Sequence, residues 1–264
     1  MSWAKMPTDW LRPVDPPAPP QPAKPPKAGY DFDDVGLDDL IDLDSKPAKF
    51  YPLSLFEWRK DGSSSMAALM IVIALSIKLN QSHRGERFEP GKPRPTAVAV
   101  TYDELTRMTG FARATVSSGL DLLEELGAIS RSKIGRANSY TLHGVNEPGR
   151  WCQLPQSTLL RPDGALSIKK LERKRATLHA LRVYAALLSL RRQQTNTASI
   201  SWTGLSRWTG VRRADIGPAV QVLVAWGLVS FSEELDDRHL DGEDRSNRYR
   251  IVGLGKVQHA SEVA

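Results

Sequence analysis

The sequence has few of the residues from which disulfides, metal centres and nucleotide-binding loops are built. Its 264 residues contain one cysteine, Cys152, which excludes a disulfide within the chain and fits a reducing compartment. The five histidines are scattered, and none forms a metal-ligand pattern with Cys152. The stretch EPGKPRPTA holds one Gly-Lys pair but lacks the spacing of a phosphate-binding loop. We therefore expect a protein that is not an enzyme and binds no cofactor and no metal.

Long hydrophobic runs are equally scarce. The first ten residues, MSWAKMPTDW, lack the apolar core of a signal peptide. The run MAALMIVIALSI at 66–77 is shorter than the ~20 apolar residues that cross a bilayer, so it predicts a helix buried in protein. We expect a cytoplasmic protein without a membrane partner.

Proline and acidic residues are concentrated near the N-terminus. Ten of the 18 prolines and nine aspartates fall before residue 50, against six lysines and arginines. This composition predicts a disordered tail over 1–49, whose deletion should leave the rest folded. Residues 31–44 alternate acids with apolar side chains, which fits a segment that binds a protein partner or screens a basic surface, and equally a plain solvated linker. The remainder carries the positive excess and favours an anionic partner.

The rest of the chain is a duplication. LTRMTGFARA at 105–114 is answered by LSRWTGVRRA at 205–214, and residues 101–130 align with 201–230 without a gap, with nine identities. The match extends upstream, from 74–81 to 187–194, and downstream, from 138–144 to 247–253. Two copies are too few for a solenoid and indicate a duplicated domain. We predict domains at 50–148 and 149–255, followed by a C-terminal tail at 256–264.

Both copies show the same order of predicted elements. A first helix is expected at 65–80 and again at 174–192, and a short second helix at 102–108 begins with a capping box of Thr101 and Glu104. Gly110 and Gly210 mark sharp turns, and a third helix at 112–126 is followed by strand, basic turn and strand. This order is that of a winged helix. The predicted class is mainly α with small β wings (α+β), with two tandem winged-helix domains behind the tail.

The segment LTRMTGFARATVSSGLDLLEELGAI resembles the winged helix-turn-helix region of bacterial and phage DNA-binding regulators and replication proteins. FYPLSLFEW at 50–58 and WCQLPQSTLL at 151–160 resemble the short strand that precedes helix one in plasmid and phage replication initiators. The resemblance covers residues 50–255. It implies two DNA-binding modules whose third helices enter the major groove with their N-terminal residues leading.

Candidate DNA contacts in the first copy lie at the tip of the third helix and in the wing. Hydroxyl groups and one arginine suit base edges and phosphates, and a small residue lets the backbone come close. The family commonly has a capping Ser where this chain has Ala112. The candidate contacts are Arg113, Ala114, Thr115, Ser117 and Ser118 in the helix, and Arg131, Lys133 and Arg136 in the wing.

The second copy departs from this pattern. Arg207, Arg212 and Arg213 still offer phosphate donors, but Gly217 and Pro218 replace the two serines and predict a helix that starts late or bends. The second wing, SEELDDRHLDGEDR, has seven acids and two arginines, which a phosphate backbone would repel. This copy therefore fits weak DNA reading or a protein-docking role.

The sequence favours a sequence-specific protein that binds double-stranded DNA, with replication initiation preferred over transcriptional regulation. A winged-helix adaptor that binds proteins and no DNA is the alternative from another class. Helix one of the first copy is apolar on nearly every face, which calls for burial on both sides. Packing between the copies, or across a homodimer, would supply it.

Overall fold

The computed structural model describes residues 3–11, 52–56, 58–83, 95–134, 137–146, 151–192, 194–231 and 247–254, which all belong to one compact unit. The helices are α1 (Trp58–Ser82), α2 (Tyr102–Thr109), α3 (Arg113–Glu125), α4 (Gln156–Leu159), α5 (Arg175–Leu190), α6 (Trp202–Thr209) and α7 (Arg213–Ala225). The strands are β1 (Trp3–Pro7), β2 (Ala97–Ala99), β3 (Ile129–Ile134), β4 (Ala137–Leu142), β5 (Trp151–Pro155), β6 (Thr197–Ile200), β7 (Val229–Phe231) and β8 (Asn247–Ile251). The fold is thus a mixture of helices and small antiparallel sheets.

The two copies, here called repeat one and repeat two, contain the same elements in the same order. In repeat one, α1, β2, α2 and α3 are followed by the β3–β4 hairpin. In repeat two, α5, β6, α6 and α7 are followed by β7 and β8. The three-stranded sheets have equivalent strand orders, β2-β4-β3 and β6-β8-β7. Tyr140 pairs with Val98 in the first sheet, as Tyr249 pairs with Ala198 in the second.

Local chemistry fixes the ends of α2 and α6. The Thr101 hydroxyl accepts a hydrogen bond from the backbone amide of Glu104 at 3.1 Å, and the Ser201 hydroxyl accepts one from Gly204 at 3.0 Å. These bonds satisfy amides that the first helical turn leaves without a backbone acceptor. At the other end, Gly110 and Gly210 adopt φ of 78° and 64°. That left-handed conformation ends each helix and turns the chain toward the next one.

Helix α1 forms the centre of the core. It packs against α3 on one side and against α5 on another, so the predicted packing between the copies is confirmed. Its Gly62–Ser82 stretch is long and apolar enough to cross a membrane, yet 78% of the apolar window is buried inside the protein. Burying one Leu or Ile side chain contributes about 1.5–3 kcal/mol, so this helix is a main source of stability.

The N-terminal residues correct the predicted disordered tail. Trp3–Pro7 forms β1, which pairs antiparallel with β5, and Ala4, Met6 and Leu11 are buried. The prediction of disorder from residue 1 is therefore wrong for 3–11. Ala4 and Met6 alternate along β1 with less buried residues, so one face of the strand packs into the core. This burial orders the segment. The remainder of the predicted tail, with its acidic stretch at 31–44, lies outside the described residues.

The segments before α1 and α5 form short 3₁₀ turns, Pro52–Leu55 and Ser167–Lys170, here called lead-in turns one and two. The strand predicted at 50–58 is therefore wrong, whereas the one predicted at 151–160 is β5. The strand equivalent to β5 is β1, because WAKMPTDWL and WCQLPQSTL share Trp, Pro and Leu at the same spacing. The lead-in turns match each other 113 residues apart, as LSL at 53–55 and LSI at 166–168.

Candidate nucleic-acid interface

The tip of α3 presents a row of exposed polar positions. Arg113, Ala114 and Ser118 are exposed, and Thr115 and Ser117 are half-buried. The intervening Val116 and Leu120 are fully buried against the core. Because the apolar positions recur at helical spacing, the opposite face of α3 remains open to solvent.

The first turn of α3 carries a cation and has no side-chain cap. Its N-cap is Ala112, whose methyl group accepts no hydrogen bond. The Nε of Arg113 lies 3.6 Å from the Asp103 carboxylate, and both side chains are well exposed. An exposed ion pair of this kind is weak in water, so Arg113 can exchange Asp103 for another anion at little cost. Ser118 donates a hydrogen bond to the Ala114 carbonyl at 3.2 Å.

The β3–β4 hairpin of repeat one carries two kinds of cation. The guanidinium of Arg131 lies 2.7 Å from the Asp121 carboxylate and 2.5 Å from that of Glu124. Partial burial opposes protonation, but hydrogen bonds to Glu124 and Asp121 raise the pKa of Arg131 overall, and the same contact lowers the pKa of Glu124. Arg131 is thus held by two acids. Lys133 is exposed, and no carboxylate in the described part of the chain pairs with it. Arg136 lies outside the described residues.

Repeat two repeats the geometry of the α3 tip but not its chemistry. Residues 211–220 show the same alternation of burial, position by position, as residues 111–120. Helix α7 begins at Arg213 and contains Pro218 in its interior, so of the two expected alternatives, a late start or a bend, the late start is wrong. Packing of Ile216 and Val220 against the core outweighs the backbone hydrogen bond that the proline removes. A Cβ built on Gly217 would lie 3.1 Å from the indole ring of Trp202.

The candidate arginines of repeat two are exposed, and two of them contact other side chains. Arg212 donates from Nε to the Asp215 carboxylate at 2.9 Å, which lowers the pKa of Asp215. Arg213 donates to the Thr203 hydroxyl at 3.3 Å. The equivalent residues of repeat one, Arg113 and Asp103, form an ion pair instead. Arg207 is exposed in the last turn of α6. Arg212 and Arg213 therefore lie at the tip of α7, as Arg113 lies at the tip of α3.

Two further cations beside the α2–α3 turn come from the segment before α5. Lys169 donates to the Arg107 carbonyl at 2.9 Å, and Arg173 donates to the Gly110 carbonyl at 2.7 Å. The Arg173 guanidinium also lies 4.7 Å from the centre of the Phe111 ring. Both side chains come from repeat two but lie over the α2–α3 turn of repeat one, where they remain exposed. Their sequence signal was the basic run KKLERKR before α5.

The described residues offer little for other chemistry. No three His, Cys, Asp or Glu side chains among them are arranged to hold a metal ion. Cys152 is buried, and this burial raises the pKa of its thiol to about 12, which leaves it a poor nucleophile. The acidic second wing lies outside the described part of the chain.

No family model matches the sequence, and no curated protein is significantly similar to it.

Proposed function

We propose that the chain is a tandem winged-helix protein that binds double-stranded DNA at specific sites, through α3 and the β3–β4 wing of repeat one and through α7 of repeat two. The observation that carries this proposal is the exposed tip of α3. Among the described residues, its Arg113 pairs only with an exposed carboxylate, and Thr115, Ser117 and Ser118 follow along the same helix. Hydrogen-bonding side chains of these types read base edges and phosphates in the major groove.

Charge around this tip supports the same proposal. Lys169 and Arg173 stand over the turn that precedes α3, and Lys133 is exposed on the wing. The N-terminal end of a helix also favours anions, because its first amides lack backbone acceptors. We further propose a cytoplasmic protein that initiates replication, with transcriptional regulation as the alternative role for the same interface.

A salt titration of DNA binding tests the proposal. The full chain is mixed with labelled genomic fragments, and retained fragments are measured from low to high salt. DNA binding predicts that log affinity falls linearly with log salt, by about 0.9 for each phosphate contacted. Arg113→Ala should weaken binding and lower this slope by about 1, whereas Arg113→Lys should restore the slope but not the base preference. Weak binding at every salt concentration would refute the proposal.

A second candidate function is protein docking by repeat two. Val224, Trp226 and Phe231 are 40%, 37% and 55% exposed. Val224 and Phe231 stand where repeat one has Glu124 and Arg131. Large exposed apolar side chains that form a contiguous patch mark interaction surfaces. The double variant Val224→Glu, Phe231→Arg copies the charged pair of repeat one. It should leave DNA affinity unchanged if DNA is the ligand, and abolish partner binding if this repeat is an adaptor.

A further inference from the structure

The β1–β5 ribbon pairs equivalent residues reciprocally. Trp3 stands opposite Pro155, and Pro7 stands opposite Trp151. The two tryptophans are equivalent in the repeat, and so are the two prolines. The central pair, Lys5 and Gln153, consists of a residue and its own equivalent. A surface that meets its own copy in this way is generated by a two-fold rotation axis.

The lead-in turns show the same reciprocity. Lead-in turn one precedes α1 of repeat one but packs on α6 of repeat two, and lead-in turn two precedes α5 but packs on α2. A Cβ built on Gly210 would lie 2.7 Å from the Cβ of Ser54, and one on Gly110 would lie 2.8 Å from the Cγ of Lys169. Each repeat therefore covers the helix-turn-helix of the other. The two subunits of a domain-swapped dimer exchange equivalent segments in the same way.

The equivalent helices α1 and α5 complete the symmetric interface. They pack on each other, and Val72 of α1 and its equivalent Ala185 of α5 line the same small apolar cavity between them. Three independent contacts, through strands, turns and helices, thus relate the repeats by one approximate two-fold axis. A translation along the chain would place equivalent strands parallel, and not antiparallel in the reciprocal register of β1 and β5.

We infer that one chain acts as a covalently joined pseudo-dimer whose DNA target is an imperfect inverted repeat. The inference rests on the proposed function, because it concerns the arrangement of the site that α3 and α7 contact. Two modules related by a two-fold axis can contact one duplex equivalently only if that axis coincides with a dyad of the DNA. The half-sites must then be inverted, and not repeated head to tail.

The inversion is imperfect because the two helix tips differ. Thr115 is matched by Asp215, and Ser117 and Ser118 by Gly217 and Pro218. Asp215 is held by Arg212 at 2.9 Å and lies 3.9 Å from Arg175, so it does not repel phosphate as a lone acid would. The half-site under α3 should be the more strongly specified, and the half-site under α7 should match it in only some positions.

Selection from random duplexes tests the inference directly. The full wild-type chain is used to enrich bound sites, and the best site is then remade in three forms: as selected, with one half-site reversed, and with one half-site scrambled. The inference expects an inverted arrangement, and an affinity that falls about 100-fold when one half is reversed, to the level of the scrambled duplex. The mass of the complex should equal one chain per duplex.

The outcomes separate the two proposals. Enriched half-sites in the same orientation, or two chains on each inverted site, would overturn the inference and leave DNA binding standing. Recovery of no preferred site would overturn the proposed specificity, and with it the inference.

A chimera provides a second, independent readout. Asp215→Thr, Gly217→Ser and Pro218→Ser give α7 the tip of α3, and Trp202→Tyr makes room for the new side chain at 217, as Tyr102 does in repeat one. The selected site of this variant should become a more nearly perfect inverted repeat of the α3 half-site. If the duplicated half-site instead appears head to tail, the inference is wrong. The wild-type selection alone decides the question if the chimera does not fold.

Discussion

The indole rings of Trp3 and Trp151 stack across the β1–β5 ribbon, with centroids 5.9 Å apart and planes 6° from parallel. A residue near the N-terminus thus contacts the first strand residue of repeat two. We expect Trp3→Ala to lower the free energy of unfolding by about 2 kcal/mol, less than for a fully buried tryptophan because Trp3 is 36% exposed. Urea unfolding measures this change.

A matched control for this substitution is Trp226→Ala. Trp226 is 37% exposed, and it follows α7 on the outside of repeat two, so its loss should cost less than half as much. Equal losses from the two variants would mean that the ribbon contributes nothing beyond the burial of one indole. Removal of residues 1–12 should destabilise the protein further, contrary to the expectation from sequence that the whole of 1–49 is dispensable.

Gly119 allows α3 to approach α1 closely. A Cβ at this position would lie 2.9 Å from the backbone nitrogen of Ala68 and 3.0 Å from the Cβ of Ala67. Gly119→Ala should therefore destabilise the protein by about 1–3 kcal/mol through overpacking, although the same change in an open helix stabilises by about 1 kcal/mol. Thermal unfolding checks the sign. The equivalent residue of repeat two is Ala219, which is buried, so Ala219→Gly should destabilise through lost helix propensity together with the lost packing of its methyl group.

The two wing cations should behave differently. Lys133→Ala should lower the slope of log affinity against log salt by about 1, because an exposed lysine contacts one phosphate. Arg131→Ala should leave that slope nearly unchanged, since Asp121 and Glu124 already neutralise the guanidinium. It should cost up to ~1 kcal/mol in stability, as expected for a partly exposed network. Equal slopes for both variants and the wild type would exclude the wing from the interface.

Thr115 and Ser117 are the residues expected to read bases. Thr115→Ala or Ser117→Ala should relax the preference at one base position by about 1–3 kcal/mol, without changing the salt slope. Site selection with each variant measures this. Ser118→Ala should have a smaller effect, because the Ser118 hydroxyl already donates its proton to the Ala114 carbonyl and keeps its acceptor capacity alone for a base. Unaltered specificity in the Thr115 and Ser117 variants would remove their hydroxyls from base reading.

Stability should fall in mild acid because of His179. Burial first, and then the charge of Arg182, lower the pKa of this histidine, while Asp215 opposes the shift. Arg175 and Arg212 also face it and lower the pKa further. Below the ordinary histidine pKa of about 6.5 the unfolded chain takes up a proton that the native protein does not, so the free energy of unfolding decreases as pH falls from 7 toward 5.

His179→Met tests this pH dependence, because Met66 occupies the equivalent position in repeat one. The variant should lose less stability than the wild type between pH 7 and pH 5 in parallel urea titrations. His143→Gln, which changes an exposed histidine, should retain the wild-type dependence. A pH profile that is the same in His179→Met and the wild type would show that other groups cause the loss.

Particular elements explain why the sequence predicted one part of the fold and missed another. Helices α2 and α3 were predicted within a residue of their observed ends, because caps, left-handed glycines and helical spacing are local signals. The late start of α7 was wrong, because packing of Ile216 and Val220 outweighs the cost of Pro218. The role of residues 3–11 was missed, because a short segment inside a proline-rich region gives almost no periodic signal.

The candidate interface was likewise predictable in one part and not in another. The exposure of the α3 tip was predictable, since buried Val116 and Leu120 recur at helical spacing. Arg131 pairs with Asp121 and Glu124 because the β3–β4 hairpin folds back beside α3. No local sequence pattern predicts this contact. Lys169 and Arg173 reach the α2–α3 turn only because the lead-in turns are exchanged between the repeats.

The sequence by itself determined that this protein consists of two copies of one helical unit with a small sheet. The duplication is visible when the sequence is aligned with itself, and helix caps and hydrophobic periodicity are signals between neighbouring residues. Only the tertiary structure decided how the copies face each other. The antiparallel pairing of β1 with β5 and the exchange of lead-in turns join residues about 60 or more positions apart. Their energies come from surfaces that become complementary only when both copies have folded.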